Sequence, residues 1–169
     1  MKKLVLILNL LIVETIVLGQ TESTFPTNYD GIIEYSGVVQ APELTKDQLY
    51  DKCLIWFAEQ FKSANDVLQY KDKESGTIIG KGVFVEGSYN AKWLFTLKIE
   101  FRDGRFKYNM NNIYLEHGSE GYPFERLAFP TSYKKMSIKR ARKIEAQNIK
   151  PFIASLQQIT LGDKDDTDW

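Results

Sequence analysis

The chain has 169 residues, of which 43% are hydrophobic and 13% aromatic, with 22 basic groups balanced by 22 acidic ones. This is enough apolar material for one well-buried core, and the charge balance argues against general affinity for nucleic acid. Cys53 is the only cysteine, so an intramolecular disulfide is excluded and stability has to come from burial.

Lys2 and Lys3 precede an apolar run from Leu4 to Leu18, followed by Gly19. This is the three-part pattern of a secretory signal peptide. Val17 and Gly19 fill the two small-residue positions before a cut, so cleavage is expected after Gly19, with Gln20 as the new amino terminus. A permanent anchor fits less well: a spanning helix needs about 20 apolar residues. This run has 15 and contains Asn9 and Glu14. No cysteine lies at the cut, so a lipid-modified terminus is not expected. Removing residues 1–19 leaves 20 basic and 21 acidic groups. The expectation is an exported protein, periplasmic or secreted, that is not integral to the membrane after cleavage and has no nucleic-acid partner.

Residues 20–30 are rich in Thr, Ser, Asn and Pro and read as a flexible leader. A first strand follows over Ile32–Val39, bounded by Gly31 and Pro42. Thr45 as N-cap, Gln48 three residues on and Asp47 in the first turn predict a helix start with a capping box. Leu49, Cys53, Trp56, Phe57 and Gln60 share one face of that helix, widened by Leu54 and Phe61.

Val67–Lys71 and Thr77–Val85 are expected to pair, with Gly80 and Gly82 weakening the second strand or marking a bulge. A stronger hairpin runs from Lys92 through the Asp103-Gly104 turn. If Arg102 pairs with Arg105, paired residue numbers sum to 207. Trp93, Phe95, Leu97, Ile99 and Phe101 then meet Phe106, Tyr108, Met110, Asn112 and Tyr114 on a buried face. The opposite face is mostly polar, which predicts an antiparallel sheet covered on one side, an α+β layer arrangement. A loop follows from Glu116 to Pro123. A second helical region spans about 138–159, with Pro151 kinking or restarting it. The acidic tail, 161–169, is expected to fray. One α+β domain over 31–160 results.

The ordered run from Tyr35 to Gly82 carries a family resemblance. It contains Gly37-Val38-Val39, Leu44-Thr45-Lys46-Asp47-Gln48-Leu49-Tyr50, Trp56-Phe57, Phe61-Lys62-Ser63-Ala64, Val67-Leu68-Gln69-Tyr70-Lys71-Asp72 and Gly80-Lys81-Gly82. Together with Phe95–Ile99 and Asp103-Gly104-Arg105, this resembles an exported bacterial domain of unknown function with a TATA-binding-protein-like fold. The resemblance covers about residues 33–115. It implies a curved antiparallel sheet of about five strands with two helices packed on one face, and it implies no activity. The fold's namesake binds DNA with its sheet, but fold does not carry function.

Candidate chemistry is sparse. His117, the only histidine, has no partner histidine or cysteine nearby, so it reads as a surface loop residue. Cys53 sits on an apolar helix face and suits a buried thiol. Asp163, Asp165, Asp166 and Asp168 lack the glycine and distant glutamate of a calcium loop. Gly80-Lys81-Gly82 lies within a strand pattern and not at a strand-to-helix turn, so it is no phosphate loop and is expected to permit a bend or bulge. Trp93, Phe95, Tyr108 and Tyr114 are expected in the core and not on a sugar-binding surface. The remaining candidate is a basic segment in which Lys135, Lys139, Arg142 and Lys143 would share a helix face, suited to an anionic partner. No metal or cofactor site and no catalytic set is expected. The leading reading is a non-catalytic exported module that binds an envelope protein, glycan or lipid head group through the open sheet face or this basic segment. The alternatives are a hydrolase using carboxylates such as Glu100 and Glu116, and an accessory or inhibitor subunit of an envelope complex.

Overall fold

The structure, a computed structural model, describes residues 25–87, 90–116, 121–129 and 135–160. The segment expected to be a signal peptide, His117 and the acidic tail lie outside these residues. In chain order the elements are β1 (Tyr35–Gln40), α1 (Lys46–Gln60), the one-turn α2 (Ala64–Val67), β2 (Leu68–Asp72), β3 (Thr77–Glu86), β4 (Ala91–Arg102) and β5 (Arg105–Leu115). They are followed by the short β6 (Tyr122–Pro123), α3 (Glu125–Ala128), α4 (Lys135–Ile144) and, after a π-helical turn over Glu145–Ile149, α5 (Lys150–Gln157). The sheet is open, antiparallel in every pairing and ordered β1-β5-β4-β3-β2, with β6 extending the β1 side of β5.

α1 begins where its sequence punctuation places it. Thr45 Oγ1 accepts from the Gln48 N–H at 3.3 Å, and Gln48 Oε1 accepts from the Thr45 N–H at 2.9 Å, so both halves of the capping box close. Asp103, from the β4–β5 turn, adds a carboxylate that accepts the Lys46 N–H at 2.7 Å. A negative group at the positive end of the helix is favourable, and it ties the start of α1 to the hairpin. Leu49, Cys53, Trp56 and Phe57 are buried as the stripe predicts, and Tyr50 joins them, whereas Gln60 is exposed.

The β4–β5 register follows the 207 sum from Arg102–Arg105 to Thr96–Asn111 and then shifts, so that Leu94 faces Tyr114 and Trp93 faces Leu115. The cause is Asn112, whose backbone is left-handed with φ 51°. Asparagine tolerates that conformation better than most residues. The extra residue makes a bulge opposite Phe95, which corrects the strict alternation read from sequence. Ile113 turns inward and is buried, Asn112 is exposed, and Tyr114 goes to the other face. Without the shift an asparagine amide would enter the core, where an unpaired polar group is costly.

Gly82 marks no bulge, and Gly80 lies opposite the register shift of β2, not in a break of its own strand. β3 and β4 pair without a break from Thr77–Glu100 to Glu86–Ala91. A Cβ on Gly82 would lie 2.2 Å from Phe95 Cζ, and one on Gly80 2.8 Å from Phe57 Cε1. The glycines therefore leave room for rings to lie over the sheet. The irregularity falls on β2 instead, between Leu68 and Tyr70.

Pro151 stands in the first turn of α5, as a fresh start predicts, and the new helix follows the π-helical turn without a break in helical backbone. The backbone stays helical through Ile144, Ile149 and Lys150, and the Lys150 N–H bonds to the Glu145 carbonyl five residues back. This wider turn sits where the proline ring would otherwise crowd the preceding turn. α1 and the α4–α5 rod cover one face of the sheet. Phe152 lies at their meeting point, with ring centroids 5.0 Å from Trp56, 5.1 Å from Phe95 and 5.4 Å from Phe84. The Trp56 indole N–H donates to Ser155 Oγ at 3.1 Å and locks the two helices together.

The leader also needs correcting. Phe25 is buried, edge-on to Phe124 at 5.7 Å and to Phe129 at 6.1 Å. The Glu34 N–H donates to the Pro26 carbonyl, and the Asn28 side chain accepts from the Asp30 and Ile32 N–H groups. The described part of the leader is thus built into the domain, because one aromatic anchor and an Asn-capped turn outweigh its polar composition.

Candidate functional site

Period-two alternation sends one set of side chains from β3, β4 and β5 into the helices and the other set away from them. Among the described residues no helix covers the second set, so this face of the sheet is open. It has two halves. Near the β3–β4 connection, Val83, Leu94 and Tyr114 stand opposite one another across three strands, with Val85 alongside. Val83 is 43% exposed, Val85 55% and Tyr114 38%.

Toward the β4–β5 turn the face becomes cationic. Arg102, Arg105 and Lys107 stand at the turn end, Lys81 and Lys98 midway and Lys92 at the far end opposite Val85, against Glu100 as the one acidic residue these three strands place on the face. Lys98 pairs with Glu100 at 2.9 Å, and Lys92 pairs with Glu116 at 3.2 Å. Among the described residues, Lys81, Arg102, Arg105 and Lys107 have no ion-pair partner. Arg102 and Arg105 are direct cross-strand neighbours, an arrangement that like-charge repulsion disfavours. Between the halves, Thr96 faces Asn111 and Lys98 faces Asn109, while Tyr70 on β2 stands 46% exposed beside Ile79. A groove of about 450 Å³ opens at the turn end, lined by Val38, Ser75, Glu100, Arg102, Arg105 and Lys107.

The basic helical segment is placed differently from a free patch. Lys139 and Lys143 are exposed on α4. Arg142 lies over the Phe25 ring at 3.9 Å and donates to Glu145 Oε2 at 3.0 Å, so its charge holds the amino-terminal segment and a buried carboxylate. Lys135 heads α4, and its side chain is outside the described residues. Arg140 is bound by Glu86, through Nη2 at 2.8 Å, and lies over Trp93. The carboxylates considered for hydrolysis are not brought together: Glu100 and Glu116 sit toward opposite ends of β4, each beside its own lysine.

Displaced proton equilibria report packing. Burial pushes the Cys53 thiol up, as a core cysteine requires. Burial likewise raises Tyr35, and the charge of the adjacent Glu145 raises it further. Burial works to raise the Glu86 carboxyl, but hydrogen bonds from Arg140 and the Trp93 indole outweigh it and hold the group below the usual carboxylate range. Among the described residues no cluster of three His, Cys, Asp or Glu side chains is arranged to hold a metal, and no helix is long and apolar enough to cross a membrane. The cations of the open face are what residue-by-residue reading missed. Their signal was the polar half of the alternation, which adds up only once three strands are aligned.

Residues 35–116 match the profile described as a domain of unknown function (DUF4468) with TBP-like fold. The chain is similar to the crystal structure of a DUF4468 family protein from Bacteroides ovatus, with 21% identity and a TM-score of 0.60 over 79% of this chain and 90% of that one. It is also similar to a TBP-like protein from Parabacteroides distasonis, with 13% identity and a TM-score of 0.65 over 82% of this chain and 98% of the other. No curated protein matches the sequence.

Proposed function

Given that residues 35–116 form a DUF4468 domain with its TBP-like fold, a family of unknown function, we propose that the protein is an exported, non-catalytic binding module of a bacterial envelope. It engages its partner through the uncovered face of the sheet. The observation that carries this reading is the face itself. An apolar row, Val83–Leu94–Tyr114, runs into a field of cations on a chain whose total charge is balanced. A sheet face that served only solubility would intersperse the two signs and keep its apolar groups apart. The described carboxylate with the firmest hold, Glu86, is committed to Arg140 and Trp93, which favours recognition over acid–base chemistry. Export rests on the basic, apolar and small-residue pattern of the first 19 residues.

The test uses the full chain expressed in a bacterial host, with the intact mass of the mature product locating the cut after Gly19. The purified product is then mixed with isolated envelope material. Val83→Asp combined with Tyr114→Asp changes only exposed positions, so the fold is retained, and association is expected to drop severalfold. Association unchanged in that double variant, with melting temperature also unchanged, would remove the sheet face as the binding surface.

A further inference from the structure

We infer that the cationic half of the open face binds an acidic polysaccharide. This inference rests on the reading of the sheet face as the binding surface and narrows it to one class of partner. Segregation of charge is the first argument. The whole chain has equal numbers of acidic and basic groups, yet among the described residues Lys81, Arg102, Arg105 and Lys107 stand on one face without an ion pair, Glu100 opposite Lys107 being held by Lys98. Stability alone would place an acid opposite Arg102, and the structure places Arg105 there. The nearest acid in the turn, Asp103, is turned away to cap α1. Such a field is complementary to a ligand carrying repeated negative charges.

The second argument is what lies among the cations. Asn109, Asn111 and Thr96 occupy the centre of the face, and Ser36 of β1 continues the row beside Asn109. Amides and hydroxyls both donate and accept, which matches the hydroxyl groups of sugars. Two tyrosine rings flank them, Tyr70 at one edge and Tyr114 near the other. The Tyr70 hydroxyl is fixed by Asp72 at 3.0 Å, which holds its ring beside the face. Aromatic rings offer apolar surface for the flat side of a pyranose, and arginine and lysine offer charge for a uronate, sulfate or phosphate substituent. An acidic peptide would use the cations and leave the amides and rings without a role. A membrane surface would favour cations mixed with the apolar row, whereas three of the four cations without an ion pair, Arg102, Arg105 and Lys107, stand at the turn end, away from Val83, Leu94 and Tyr114. The groove between Val38 and Lys107 receives the charged substituent nearest the turn.

The experiment measures retardation of the purified protein in gels containing polygalacturonate, with dextran as the neutral control, at low and high salt. Wild type is expected to bind polygalacturonate, to ignore dextran and to weaken as salt rises. Arg102→Gln, Arg105→Gln and Lys107→Gln together are expected to weaken binding by about tenfold, since each exposed charge contributes modestly. Asn111→Ala with Tyr70→Ala should weaken it with the charges intact, which a purely ionic attraction would not show. Equal binding by wild type and the triple variant overturns the inference. So does loss of binding in the triple variant accompanied by tighter binding to anionic phospholipid vesicles or duplex DNA than to the polysaccharide. If Val83→Asp with Tyr114→Asp abolishes envelope association while polygalacturonate is never bound, the sheet face stands as the binding surface and the polysaccharide fails. If envelope association survives every face variant, the broader reading fails first.

Discussion

Glu86 shows how much one residue can organise. Its carboxylate, contributed by β3, accepts from the Trp93 indole N–H at 2.8 Å and from Arg140 on α4, so it links the sheet to the last helix. Its native proton affinity is lowered, so the stabilisation is present above the ordinary glutamate value near 4.5 and is lost as pH falls through the lower native value. Glu86→Gln should cost about 1–2 kcal/mol at neutral pH, discounted because the guanidinium is partly exposed. The gap in melting temperature between wild type and variant should close as the buffer is acidified from the ordinary glutamate value through the lower native one; a gap independent of pH would show that the ion pair is not the source. Cys53 makes a second residue-scale case. It is fully buried and its thiol is pushed up, so a thiol-specific reagent at neutral pH should label it only in denaturant. Rapid labelling of the native protein would contradict its burial.

At the scale of elements, the strand glycines and the helix cap make opposite kinds of demand. Gly82→Ala places a methyl group against Phe95 and should destabilise by about 2 kcal/mol or more, as overpacking does. Adding Phe95→Leu should return part of that loss, because the two residues compete for the same space. Two losses that simply add in denaturant titrations would refute the ring-accommodation account. Thr45→Ala should cost about 1 kcal/mol through the lost cap. The cap was legible in the sequence because its bonds are local: Thr45 and Gln48 are three residues apart and need no tertiary information. The β4–β5 hairpin was legible from its turn and alternation up to Asn111. It failed at Asn112 because a left-handed asparagine leaves no mark in the apolar pattern, although Ile113 beside it is the better inward residue. Gly80 and Gly82 were read as local bends because sequence does not show that Phe57, from a distant helix, comes to lie over one of them. The basic segment was legible as charge, but the burial of Glu145 and the position of Phe25, which together claim Arg142, were not.

For the molecule as a whole, the amino-terminal segment and the open face divide the labour. Phe25 and its turn close the helix-covered side, where Phe124, Phe129 and Arg142 surround it. Phe25→Ala should lower stability by about 3 kcal/mol, as for a large buried ring. A denaturant midpoint unchanged from wild type would return this segment to the status of a dispensable leader. The sheet's opposite face leaves its cations available without cost to that core. The strand order has one further consequence, for the sequence of events in folding. β2 through β5 form a meander of neighbours joined by short turns, whereas β1 pairs with β5 across some seventy residues, Tyr35 with Met110. Because closing a long loop is entropically expensive before its contacts form, the meander should assemble first, with β1 and the helices that follow β5 arriving late. Until then the sheet lacks β1 and the cover of α4 and α5, so its core is incomplete and the inward face of the meander stays exposed.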